Sequence, residues 1–513
     1  SSTSTFDLSA LRINNGYFGE QVIIAPGEYL IVTDDDNLGD FIAFPNAVGM
    51  NSFPQLTNSG TTVSMTLGGS VLIDKVSYDD TWYHDVDKDE GGWSLELINP
   101  NDPCSDASNW TASNHFSGAT PGTVNSVFDD SPDVVPPSVG RVLVLDSQTI
   151  QVEVIEPIDT LALAPEAFTL FDAAGNELGW EVVALSFPGQ RIQAVFSEEF
   201  WPGAVFELVI TELSDCWGNE AEVAVKFGLP AEPEAGALVI NEVLFDPVVG
   251  GDDYVEILNI SNVVQGLDFW MLANGEGEFW EDIETITTEN HIILPGEYLC
   301  FTTNPQQLPT QYPFTQTSQL FKIDNMPSYA NSDGKVFLIS NQFETVDAFT
   351  YVEDMQFALI DVVDGVSLER VNPYERADAS GNWHSAAQSD NFGTPGYQNS
   401  QFLRPEDLSE SLSLEPKIFS PNNDGYEDIC TINYLFNEPG LVANVSIFDA
   451  DGREIRRLVH NELLGISGSF VWDGISESRE KVAIGIYVIY VEVFDTAGTV
   501  KATKLPIVVA AQF

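Results

Sequence analysis

Five histidines, His84, His115, His291, His384 and His460, are the side chains best suited to acid–base or metal chemistry near neutral pH, and their spacing assembles no known site. The chain holds no H-E-x-x-H pair, G-x-S-x-G elbow, G-x-x-x-x-G-K-[ST] phosphate loop or strand-to-helix glycine fingerprint. Two carboxylates could in principle work as a glycosidase pair. With 79 acidic residues, though, adjacency of any two identifies nothing, and a solvated acidic face is the simpler reading. The expectation is a chain without catalytic residues.

Two acidic loops have the chemistry of calcium ligation, which needs hard oxygen atoms at alternate positions and a glycine that lets the backbone turn. The first carries Asp85, Asp87, Asp89 and Glu90 ahead of Gly91 and Gly92. It lacks the twelfth-position glutamate of an EF-hand, and the matching stretch from Leu359 to Gly365 is much less acidic. The second carries Asn422, Asp424, Glu427 and Asp428 around Gly425. There Asn and Asp equally well close a turn on their own backbone. Calcium is the one cofactor these residues suggest.

The elements that would position such residues follow from an internal repeat. Pro26-Gly27-Glu28-Tyr29-Leu30 returns as Pro295-Gly296-Glu297-Tyr298-Leu299. In the same order Tyr78 matches Tyr351, Ser94-Leu95-Glu96 matches Ser367-Leu368-Glu369, Asn109-Trp110 matches Asn382-Trp383, and Thr120-Pro121-Gly122 matches Thr394-Pro395-Gly396. Collinear landmarks at a nearly constant offset mean a duplicated domain. Between them run short apolar stretches such as Gln21-Val22-Ile23-Ile24 and Lys335-Val336-Phe337-Leu338-Ile339, bounded by Gly, Pro, Asn or Asp, which is the pattern of β-strands joined by turns. The second copy opens with Leu238-Val239-Ile240-Asn241-Glu242-Val243 and Asp253-Tyr254-Val255-Glu256-Ile257-Leu258-Asn259, and nothing ahead of Asp7-Leu8 corresponds to them. The chain is therefore expected to begin inside a domain, as a fragment of a longer protein, because an open sheet edge is an aggregation hazard.

The fold class expected is all-β, a tandem series of Ig-like β-sandwich domains. Four are expected: 1–127, 138–230, 237–400 and 414–513. The motifs I-N-E-V and Y-V-E-I-L-N of the third domain, followed by P-G-E-Y-L, S-L-E, N-W and T-P-G, which the first domain shares, resemble bacterial lamin-tail domains. That resemblance implies an immunoglobulin-like sandwich with no active site of its own, often attached to secreted bacterial proteins. The turn Asp215-Cys216-Trp217-Gly218-Asn219 of the second domain is similar to the D-x-x-G-N hairpin of bacterial Ig-like domains. The last domain has Phe419-Ser420-Pro421-Asn422-Asn423-Asp424-Gly425, Val471-Trp472-Asp473-Gly474 and Gly485-Ile486-Tyr487. It resembles the Ig-like domain of the flagellar hook-capping protein, a module that recurs at the C-terminus of proteins secreted through the type IX system of gram-negative bacteria. The resemblance implies a role in export or anchoring, although Ala510 to Phe513 carry no basic tail.

The four cysteines form no C-x-x-C pair, so a zinc site is not expected. Cys104 has no counterpart in the second copy, and only the first copy is followed by a domain carrying Cys216. A Cys104–Cys216 disulfide would explain both facts and would clamp the first two domains in an oxidising compartment. Cys300 and Cys430 lie in apolar runs and read as free core residues.

Of 513 residues 43% are hydrophobic and only 19% charged, which suits packed cores. The formal charge of -60 repels phosphate backbones, so nucleic acid is excluded as a partner. No apolar run reaches the roughly 18 residues of a membrane span, and Ser1 to Phe6 lack the pattern of a leader, which is expected to have been removed. The aromatic residues read mainly as core, with Trp82 and Tyr83 as candidates for an exposed contact and polysaccharide as a candidate partner. The reading is a non-catalytic extracellular or cell-surface structural or adhesive protein of a gram-negative bacterium, whose partners are other surface or secreted proteins or copies of itself. Two alternatives stand beside it: the accessory region of a secreted hydrolase, and a subunit of an extracellular filament or secretion-associated complex.

Overall fold

Alternation of apolar and polar residues builds strands with one buried face throughout the chain. Arg191–Phe196, for instance, turns Ile192, Ala194 and Phe196 inward, and Val205–Ser214 does the same with Phe206, Leu208 and Ile210. The computed structural model describes all residues except 1–3, 86, 90, 104–106, 189–190, 404–410, 423–425 and 511–513. The fold is all-β, with separate packed sheets along the chain, as expected. No helix among the described residues is long and apolar enough to cross a membrane.

Two of the sandwiches are simple. Residues 139–228 pair a four-stranded sheet, ordered Val139–Val144, Thr149–Val154, Arg191–Phe196, Val182–Ser186, with a three-stranded sheet of Phe168–Asp172, Val205–Ser214 and Glu220–Gly228. Residues 411–509 pack Ser411–Glu415, Cys430–Leu435 and Ser467–Trp472 against a five-stranded sheet around the fully buried Trp472.

The second copy of the duplicated domain is the largest. Its main sheet has the order Leu320–Lys322, Tyr298–Thr302, Tyr254–Asn259, Leu238–Leu244, Leu368–Arg370, Trp383–Ser385, and a four-stranded sheet faces it. The two central strands, Leu238–Leu244 and Tyr254–Asn259, form a hairpin buried along its whole length. A β-bulge between Ile240 and Glu242 resets the alternation. Leu238, Ile240, Val243 and Phe245 all enter the main core as a result, and Glu242 and Leu244 face the opposite side of the sheet.

The first copy repeats the rest of this plan strand by strand. Thr61–Leu67 and Val71–Tyr78 correspond to Asp333–Ile339 and Thr345–Val352, with Val63 opposite Val76 where Val336 is opposite Phe349. Ile31–Asp34 runs parallel to Ala47–Met50, just as Tyr298–Thr302 runs parallel to Leu320–Lys322. Even a local detail recurs: Tyr78 donates to the Thr57 carbonyl at 3.1 Å, and Tyr351 to the Ala330 carbonyl at 2.9 Å. The central hairpin has no counterpart among the described residues. Among the described residues, Ile31–Asp34 pairs only with Ala47–Met50, and Leu95–Leu97 only with Trp110–Ala112.

Candidate functional site

The chemistry-bearing residues of the shared motifs converge on one place, the outer face of the main sheet of the second copy. Glu242, Glu256 and Glu369, from three adjacent strands, are each fully buried there beneath the segment 386–402. Glu242 accepts from Tyr254 Oη at 2.6 Å, from the Thr394 N–H at 2.9 Å and from Ser367 Oγ. Glu256 accepts from the Gly396 N–H at 2.6 Å and from Asn241 Nδ2 at 2.8 Å. Glu369 accepts from Ser400 Oγ and the Gln401 N–H, both at 2.8 Å. I-N-E-V, Y-V-E-I-L-N, S-L-E and T-P-G are thus four parts of one hydrogen-bonded cluster.

Three carboxylates cannot all stay ionised in a dry interior with no cation beside them. Thr394 Oγ1 lies 2.8 Å from Glu242 Oε2 and 2.9 Å from Glu369 Oε1. A hydroxyl holds one proton, so it can donate to one of these oxygens only if the other is protonated and donates to it. Burial pushes the Glu369 carboxyl up to about 8 and drives Glu242 and Glu256 upward as well, with Glu242 adding its charge against the other two. The cluster shares protons and ties the sheet to its cover. All three carboxylates are closed off from solvent.

Among the described residues of the first copy Glu96 stands alone in this position. It accepts from Thr120 Oγ1 at 2.6 Å and from the Ser126 N–H and Oγ, both at 2.7 Å. Burial raises its pKa, but the hydroxyls of Thr120, Ser126 and Ser113 outweigh that, so the carboxyl sits below the ordinary glutamate range. The N-W motif has the same task in both copies: Asn109 Oδ1 accepts from the Asn99 N–H at 2.8 Å, and Asn382 Oδ1 from the Asn372 N–H at 2.8 Å.

The other candidate residues do not share one place. Asp85 accepts from the Asp87 N–H at 3.0 Å and pairs with Lys88 at 3.4 Å, so one oxygen closes its turn and the other holds a cation already present. Glu90 and Asp424 lie outside the described residues, and Asp89 is half-buried nearby. In the second acidic loop Asp428 Oδ1 accepts from the Asn422 N–H at 2.9 Å, and the Glu427 carbonyl accepts from the Ser420 N–H. Cys104 also lies outside the described residues; Cys216 is engaged, and Cys300 and Cys430 are free and buried. Trp82 and Tyr83 are half-buried, Trp82 against Trp110 and Tyr83 donating to the Trp93 carbonyl at 3.1 Å. His291 sits beside Phe321, where burial lowers its pKa to about 4, with Arg141 nearby adding to the shift. His384 packs on Phe357.

One grouping was not anticipated. Asp133, Glu156 and Asp215 bring three carboxylate oxygens within 4.8 Å of one another, where the segment after the first copy meets the next sandwich. Burial raises the Glu156 pKa, and the charges of Asp133 and Asp215 add to it. Asp215 is spoken for, since it accepts from the N–H groups of Trp217 and Asn219, both at 2.8 Å, and from Asn219 Nδ2 at 2.7 Å. Asn219 Nδ2 also reaches the Asp133 carbonyl at 3.1 Å, which joins the two segments. The D-x-x-G-N turn was the available signal; its meeting with Asp133 required the fold.

No family model and no curated protein matches the chain. Solved structures give distant similarities. The N-terminal part of the bacterial surface-layer protein SbsC is 15% identical over 33% of this chain and 41% of its own, at a TM-score of 0.18. A DUF4876 family protein from Bacteroides thetaiotaomicron is 12% identical over 49% of this chain and 86% of its own, at 0.20. PorZ, described as a bacterial surface component of the type-IX secretion system of Porphyromonas gingivalis, is 11% identical over 88% of this chain and 56% of its own, at 0.18. This chain spans about half the length of larger SbsC structures, 55%. Scores this low carry no argument about function.

Proposed function

We propose that residues 1–513 are a non-catalytic, extracellular structural or adhesive region of a cell-surface protein, in which the duplicated lamin-tail-like domains serve as rigid units and the C-terminal domain serves export, anchoring or assembly. One observation supports this above the others. The motif side chains able to do chemistry are buried and bonded to one another, so their repetition is accounted for by holding two sandwiches closed. The charge of -60 suits a soluble exterior surface. A Cys104–Cys216 disulfide belongs to the same reading, supported by Cys216 being engaged while Cys300 and Cys430 are free. Calcium at the two acidic loops is a secondary proposal that the rest does not need.

The test is protease shaving of intact cells from the native source, followed by mass spectrometry of the released peptides. Peptides from 1–513 released without lysis are the expected result. Peptides seen only after lysis would overturn the surface assignment, and hydrolase activity of the purified chain that is lost on mutation within it would overturn the non-catalytic one.

A further inference from the structure

The sheet that closes the last sandwich has an outer face only half covered by the described residues. Its strands run in the order Ile418–Phe419, Val500–Val509, Gly485–Phe494, Val442–Asp449, Glu454–Leu463. Tyr487, Ile489, Val491 and Val493 enter the core, so alternation turns Ile486, Val488, Tyr490, Glu492 and Phe494 outward. Register sets Val508, Pro506 and Lys504 beside the first three of these.

One end of this outer face already serves as a docking surface. Phe494, Val442 and Leu463 pack there against Phe357 and Ile360 of the preceding domain. At the other end Ile418, Ile484 and Ile486 are 55%, 67% and 58% exposed. Between the two ends lies a concavity of about 470 Å3, lined by Phe448, Val488, Tyr490 and Lys504 among others, with Tyr490 edge-on to Phe448 at 6.3 Å. Apolar sheet faces of this kind are buried by packing against another sheet.

Charge identifies the partner. Residues 411–513 carry a net charge of -6, and those ahead of them carry -54. Two copies therefore repel along most of their length and can approach at the last sandwich. On Gly485–Phe494 and Val500–Val509 the charges turned outward are Glu492 and Lys504, opposite in sign and on neighbouring strands, with Lys504 beside Tyr490 and Glu492 two residues further along. A copy related by a two-fold axis can set each lysine against the other's glutamate, whereas a uniformly acidic or basic partner would leave one of them facing its own sign.

We infer that two copies of this chain pair through the outer faces of their last sandwiches, apolar side chains of each seated in the concavity beside Tyr490 of the other. The pairing rests on the assembly role proposed above for the C-terminal domain, but it is read as a mass and not as a location, so it and the surface assignment fail separately.

Sedimentation of residues 1–513 over a range of protein and salt concentrations tests the pairing. The expected result is a reversible dimer that tightens as salt is raised, because screening relieves the repulsion between the acidic domains by more than it weakens two ion pairs. Ile486→Asp, at a position outside the core, should weaken the dimer about tenfold or more. Lys504→Glu should also weaken it, and Lys504→Glu combined with Glu492→Lys should recover most of the loss, which a misfolded variant would not do. A chain that stays monomeric at high salt and at its highest soluble concentration overturns the proposal. So does an association that loosens with salt, that ignores Ile486→Asp, or that the exchanged charges fail to restore.

Discussion

Glu96 and Glu369 occupy the same place in the same motif, S-L-E, and titrate in opposite senses. Both are buried and both are hydrogen-bonded to a threonine and a serine of the closing segment. Glu369 shares its surroundings with Glu242 and Glu256, so its carboxyl is raised, whereas Glu96 has only donors around it and is lowered. The charged form of a buried group is set by the number of like charges beside it as much as by burial. The central hairpin makes that difference, and it also separates a core of 22 buried residues in the second copy from one of three, Leu11, Phe18 and Met50, in the first.

The sharpest way to break the comparison is to remove the same tryptophan from each copy. Trp383 stacks on Phe349 at 3.6 Å and donates to the Ala377 carbonyl, so Trp383→Ala should cost about 3–5 kcal/mol. Trp110, half-buried over a cavity, should cost about 1 kcal/mol in Trp110→Ala. Hydrogen exchange resolved by domain is the right measure, because a chain of several sandwiches does not melt in two states. Reduction comes next. With Cys104 and Cys216 bridged, reductant should lower protection in the first copy by about 2–4 kcal/mol and leave the second untouched; four thiols alkylated under denaturing conditions without reductant would remove the clamp altogether.

Glutamine tests the protonation states. Both Glu96 oxygens accept, so an amide in Glu96→Gln sets N–H against N–H or O–H and should cost about 1–3 kcal/mol. In Glu369→Gln the amide donates where the protonated carboxyl donated, and stability at pH 7 should change by less than about 1 kcal/mol. The effect of pH itself is of similar size. A carboxyl raised by folding contributes stability that is complete below the ordinary glutamate value and is lost as pH climbs through the folded value. Exchange protection of the second copy should therefore fall by on the order of 1 kcal/mol between pH 7 and 9, less so in Glu369→Gln. Glu96 is lowered, so its contribution is present above the ordinary glutamate value and is lost as pH falls through the folded one. The first copy should weaken toward acid while the second weakens toward alkali.

The duplication and the all-β class were legible because both are periodic signals: landmarks recurring in order, and apolar residues recurring every second position. The role of the motif glutamates was not. In a chain with 79 acidic residues a glutamate reads as solvated, and only the return of 394–401 over a sheet begun at 238 shows that Glu242 and Glu256 point inward. The bulge at Asn241 was equally hidden, since I-N-E-V carries no glycine to mark it. The acidic loops were found as loops, but the N–H groups competing for Asp85 and Asp428 follow from backbone geometry rather than composition. Asp133, Glu156 and Asp215 are far apart in sequence, and of the three only Asp215, in its D-x-x-G-N turn, left a local trace.

In the second copy the first strand and the last segment of the domain are bonded to each other directly. Thr394 donates to Glu242 through both its N–H and its hydroxyl, and Asn399 Nδ2 donates to the Asn241 carbonyl at 3.0 Å. The strand at which the domain begins and the segment with which it ends are thus joined by a short path of side-chain bonds, beside the backbone ladders that tie Leu238–Leu244 to its neighbours. Gln401 continues the path, since its Nε2 donates to the Leu464 carbonyl of the next sandwich at 3.0 Å. Mechanically the first strand and the closing segment are riveted to each other, and the rivet is the buried cluster around Glu242, Glu256 and Glu369.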